Sequence, residues 1–159
     1  MKKTLMIAAL AGLVGFGAGN AFWYLASPLW IDVTVSESAS AAETASVIGS
    51  ATFAGADAIH QGSGTATVFE GTDGKRIVRF TDFEVTNGPD LKVWLVANPD
   101  VTEADDVNNA EYVSLGVLKG NIGDQNYDIP EGVDLEKFQS VVIWCEQFSV
   151  LFASASLAN

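Results

Sequence analysis

The chain has 159 residues, 48% of them apolar, and carries 20 acidic against 8 basic residues, which fits one domain of ordinary size plus an appendage. With Lys2 and Lys3 set aside, six basic residues face all twenty acidic ones, a balance that repels polyphosphates and argues against nucleic acid as a partner. Single copies of cysteine and histidine leave little room for four-coordinate zinc or triad-type nucleophilic machinery, so no metal and no cofactor is expected.

Lys2 and Lys3 open the chain, and no charged residue follows from Thr4 to Ala26. An apolar run of about 20 residues matches the hydrocarbon thickness of a bilayer. Phe22, Trp23, Tyr24 and Trp30 stand where an interfacial aromatic belt would lie on the far side, and the two lysines hold the N-terminus in the cytoplasm. Residues 1–31 are therefore expected to be a single-pass signal-anchor with the remainder periplasmic or extracellular, the membrane being the partner of this segment. A cleaved secretory signal has a shorter apolar region, although Gly19-Asn20-Ala21 is a passable cleavage site. Residues 32–47, rich in Ser, Ala, Thr and acid, read as a flexible tether, with room for a short helix in the Ala-rich part.

From Ile48 onward short β-rich runs alternate with Gly, Asn, Asp and Pro, which predicts an antiparallel β-sandwich or partly closed barrel over 48–159. Strands are expected at 50–53, 65–69, 75–80, 83–85, 91–97, 112–118 and 126–129. The 65–69 and 75–80 runs form a hairpin across the glycine-bearing link 70–74. On the 91–97 strand Leu91, Val93 and Leu95 share one face and Lys92, Trp94 and Val96 the other, so both faces are expected to be covered. Residues 98–111 read as an acidic loop and 134–138 as one helical turn. Two strands within 140–158, broken near Glu146-Gln147, close the domain; the first sets Val141, Ile143 and Cys145 against Val142 and Trp144.

Several stretches form an ordered pattern: His60-Gln-Gly-Ser-Gly-Thr65, Val78-Arg-Phe-Thr-Asp-Phe83, Gly88-Pro-Asp-Leu-Lys-Val-Trp94, Leu115-Gly-Val-Leu-Lys-Gly120 running on to Tyr127, and Val141-Val-Ile-Trp-Cys145 followed by Phe148-Ser-Val-Leu-Phe-Ala153. In this succession the chain resembles the DM-thirteen domain family, also titled electron-transfer DM-thirteen, from about Ser50 to Leu157. The resemblance implies a small β-rich extracytoplasmic module. It also implies a redox-active role for the cysteine of the penultimate strand, here Cys145, with an unidentified protein or redox partner.

As the sole cysteine of an exported domain, Cys145 has no internal disulfide partner. It is a packed core residue, a thiol pairing with another molecule, or a ligand. Reactivity requires access and a nearby cation, for which His60 and Arg79 are the candidates. His60 is otherwise a loop histidine bonded to backbone. A blue-copper centre would need two histidines, and nothing marks a haem attachment site. Asp100, Glu103, Asp105 and Asp106 read as a solvated loop rather than a calcium site, because the glycine-punctuated spacing of such loops is absent. Trp94 and Trp144 read as core residues, with an electron relay as the alternative. Two functions follow: a membrane-anchored thiol redox or electron-transfer module centred on Cys145, or a non-enzymatic cell-surface binding module in which Cys145 is structural.

Overall fold

The computed structural model describes residues 2–39 and 45–157. Its first element is a helix, α1 (Lys2–Ala26), followed by a 3-10 turn over Ser27–Leu29. With none of its described apolar side chains buried, α1 is long and apolar enough to cross a membrane.

Among the described residues ten strands follow, in two five-stranded sheets. The first sheet runs β1 (Thr34–Ser36), β8 (Ile122–Ile129), β5 (Arg76–Val85), β4 (Gly62–Glu70), β2 (Ser46–Thr52). The second runs β3 (Ala54–Gly55), β10 (Val150–Ser156), β9 (Ser140–Cys145), β6 (Leu91–Val96), β7 (Tyr112–Val117). All pairings are antiparallel except that of β1 with β8. The two sheets face each other as an open sandwich, so of the two expected architectures the sandwich forms and the barrel does not.

Period-two alternation fills the space between the sheets. Val68, Val78, Phe80 and Tyr127 come from the first sheet and Val93, Leu95, Val141, Ile143 and Ala153 from the second. Phe53, Phe80 and Phe83 pack with ring centroids 4.8–5.1 Å apart. A second core lies on the outer face of the second sheet. There Trp94, Val96, Val142, Trp144 and Leu151 are covered by Val101 and Val107. That cover is the stretch expected as an acidic loop, which contains a short helix, α2 (Ala104–Asn108). Residues 134–138 make the expected single turn, closed by Phe138 N–H to the Asp134 carbonyl.

The structure departs from the sequence expectations at four strands. β5 is one strand rather than two, because Asp82 at φ +50 absorbs a register shift between Phe80 and Glu84 without ending the strand. β2 begins at Ser46, inside the stretch expected as a tether, and β8 begins at Ile122, in the link between the strands expected at 112–118 and 126–129. Thr34–Ser36 also lies within the expected tether and pairs in parallel with Ile122–Asp124. The chain thus reaches the sandwich almost at once after α1. The Ala-rich centre of the expected tether, 40–44, and the helix considered there lie outside the described residues.

Candidate functional site

Cys145 is the last residue of β9, opposite Leu91 on β6 and Val150 on β10. Alternation from Val141 through Ile143 turns it into the core between the sheets, where it is 1% exposed. Its thiol is free, and among the described residues no hydrogen bond or ion pair involves it. A thiol so placed is shielded in the closed sandwich. One peptide further on, however, the chain enters the exposed turn 146–149, where Ser149 adopts φ +53. Glu146 N–H donates to the Asp90 carbonyl at 3.1 Å, and Lys92 Nζ bridges Asp90 at 2.9 Å and Glu146 at 3.6 Å. These contacts tie the start of the 146–149 turn to Asp90 in the neighbouring connection.

His60 belongs to the loop between β3 and β4. Its Nδ1 lies 2.8 Å from Asp57 Oδ2, and its own N–H and that of Ile59 donate to Asp57 Oδ1. These bonds hold the Asp57 carboxyl down at about 2, the His60 side chain being the largest cause. The other side of the imidazole packs on Phe152 at 4.4 Å. Phe152 is part of the same core cluster as Cys145. No hydrogen bond or ion pair joins His60 to Cys145 among the described residues.

Arg79 is not available as a cation beside the thiol. Val78 and Phe80 enter the core, so the residue between them lies on the outer face of the opposite sheet. Its guanidinium bonds Asp124 Oδ2 at 2.5 Å, Asn126 Oδ1 at 2.9 Å and the carbonyls of Glu37 and Ser38.

Trp94 stacks on Tyr112 with centroids 3.9 Å apart and an interplanar angle of 9°, and tilts against Trp144 at 5.6 Å. Half-exposed Tyr112 thus begins a column of three aromatic rings that ends on the residue before Cys145. Trp94 Nε1 is buried without a hydrogen-bond partner among the described residues. In the acidic stretch the Asp106 carboxylate accepts from the backbone of Thr102 and Glu103 and caps α2. Among the described residues no three His, Cys, Asp or Glu side chains converge in a way that could hold a metal ion.

A polar clamp around β1 was not foreseen. Asn121 Oδ1 accepts from Val33 N–H at 2.7 Å, and Asp32 Oδ1 accepts from Asn87 and Asn121. Lys119 Nζ meets the Glu37 carboxylate at 2.8 and 2.9 Å. Gln125, wholly buried, ties the turn below it through Gly120 and receives the Tyr127 hydroxyl at 2.6 Å. The only signal in the sequence was the density of Asn, Gly, Asp and Gln between Lys119 and Tyr127, which also marks an ordinary turn.

A family model described as Electron transfer DM13 matches residues 52–157, well over half of the chain. No curated protein and no solved structure matches it.

Proposed function

The chain belongs to the electron-transfer DM13 family, and from that premise we propose that it is an extracytoplasmic electron-transfer module, anchored by α1 with its N-terminus in the cytoplasm, whose reactive group is Cys145. The family match carries the electron-transfer reading, and two features of the molecule support the residue. Cys145 is the only thiol, and it ends a strand one peptide from an exposed turn.

The chemistry follows from that position. Opening of the 146–149 turn exposes the sulfur, whose thiolate attacks one sulfur of a partner's disulfide. The partner's S–S bond breaks, a Cys145–partner disulfide forms, and the second partner sulfur leaves as thiolate and takes up a proton. His60, packed on Phe152 of the same cluster, is the group assigned to accept the Cys145 proton once the turn has opened.

The burial of Cys145 favours a second function, a non-enzymatic binding module at the cell surface in which the cysteine only fills the core. Trapping separates the two. Membranes poised in oxidising or reducing medium are quenched in acid, alkylated and analysed by mass. An electron-transfer role for Cys145 gives a masked fraction that rises and falls with the poise. A cysteine reduced under every condition would leave the binding module as the function.

A further inference from the structure

We infer that the helix-side end of the sandwich is a lipid-contacting face, docked on the outer leaflet of the bilayer that α1 crosses, with Phe148, Ile59 and Val117 as its apolar tips. The inference rests on the anchor reading of α1 given above.

Strand directions bring four connections to one end. Leu91, Cys145 and Val150 are aligned across the second sheet, with Lys92 beside Val117, so the 86–90, 117–121 and 146–149 connections share that end. Gly62 pairs with Val85, which adds the loop 56–61. β1 starts at the same end, Thr34 pairing with Ile122. Asp32 and Val33 are already fastened to Asn87 and Asn121, so the incoming chain is held there too. Trp30 packs edge-on against Trp23 at 6.1 Å, within the aromatic belt of the helix. From that belt to the clamp the chain spans at most about 10 Å over three residues. The end of the sandwich is therefore held against the interface and has no long spacer to leave it.

What this end presents fits that neighbour. Ile59 is 76% exposed, Phe148 62% and Val117 61%, each at or beside a connection on this side. The turns at the opposite end carry Asp73, Lys75, Glu131 and Asp134; of the other exposed large apolar residues of the sandwich, Val47 and Ile48 lie along edge strand β2, and Tyr112, at the opposite end, is stacked on Trp94. The two lysines here are already paired, Lys92 with Asp90 and Glu146 and Lys119 with Glu37. Attraction to anionic headgroups is thus weak, and the contact is apolar insertion between zwitterionic ones. Tethering raises the effective concentration of the face at the bilayer, so a few side chains suffice.

The test uses the full-length chain in phosphatidylcholine vesicles containing a phospholipid with a photoactivatable diazirine on its acyl chain, with adducts mapped by peptide mass spectrometry. Adducts at 59 and 146–149 at least about tenfold above those at 71–75 are expected, together with adducts in α1. Ile59→Ser with Phe148→Ser should abolish the loop adducts while the protein resists extraction at alkaline pH. Adducts confined to α1 would overturn the docking and leave the anchor standing. Cross-links between 146–149 of two copies in place of lipid adducts would overturn it in favour of self-association. Release at alkaline pH without α1 adducts would overturn the anchor reading, and the docking with it.

Discussion

At the scale of single residues, burial decides what substitutions at Cys145 report. A serine hydroxyl in its place would have no hydrogen-bond partner in the core and should cost about 1–3 kcal/mol. Alanine leaves a small void instead, and Cys145→Ala should be the more stable of the two in denaturant unfolding. A serine variant as stable as the alanine one would mean that the site is wet. Redox tests are therefore cleaner with alanine. Ser149 adopts φ +53, a conformation costing an L-residue about 1–2 kcal/mol, against about 0.5–1 kcal/mol for the added freedom of glycine in the unfolded chain. Ser149→Gly should therefore raise the unfolding midpoint by the equivalent of about 0.5–1 kcal/mol, and a fall would show that the turn needs its hydroxyl. The orientation of Cys145 was legible in the sequence, because Val141, Ile143 and Cys145 alternate with Val142 and Trp144. The distribution of charge around it was not. Arg79 is directed away from the thiol by a parity of strand position that only the sheet assignment reveals, and its partners Asp124 and Asn126 lie about 45 residues away in sequence.

At the scale of elements, β1 is the strand whose stability should respond most to pH. The Asp32 carboxyl is held below its usual value by the Asn121 and Asn87 amides, and Glu37 is lowered chiefly by Lys119. A carboxyl with a depressed folded-state pKa contributes stability that is fully present above its unfolded value and lost as pH falls through the folded one. Docking of β1 should thus weaken below about pH 4. Hydrogen exchange at 33–37 should accelerate there before exchange in β6 and β9 does; simultaneous acceleration would show that β1 does not detach on its own. Gly123 supplies a second handle. At φ +97, with a Cβ that would collide with the Val35 carbonyl, Gly123→Ala should release β1 and cost about 1–3 kcal/mol. An alanine variant that keeps slow exchange at Val35 would contradict this geometry. β4, β6, β9 and β10 were legible in sequence because period two is a local signal. β1 was not, since Thr34–Ser36 carries little apolar alternation and its flanks are held by the Asn121 and Lys119 side chains, more than 80 residues away. The α2 cover escaped for a related reason: Val101 and Val107 are its only fully buried apolar anchors within an otherwise polar stretch.

At the scale of the whole molecule, α1, the β1 clamp, the apolar tips and the 146–149 turn share one end of the sandwich, and Cys145 is among the core residues that border it, with Leu91 opposite. On the proposed reading, access to the thiol and contact with the bilayer would both be controlled at that turn. Loosening that turn should speed the reaction of Cys145, and the Asp90 and Glu146 contacts with Lys92 are the side-chain ties at the turn that substitution can remove. The sandwich and the apolar helix could be read from hydropathy and spacing. Their closeness could not, because it depends on Asp32, Asn87 and Asn121 meeting across the fold. The most direct test of the electron-transfer account is the rate at which Cys145 of the native, membrane-inserted protein forms a mixed disulfide with an excess of a small aromatic disulfide. The account predicts a rate at least about tenfold above that of global unfolding, tracking hydrogen exchange in 146–150, as expected for local opening of one turn. A rate equal to that of global unfolding would contradict it and leave Cys145 as a packing residue.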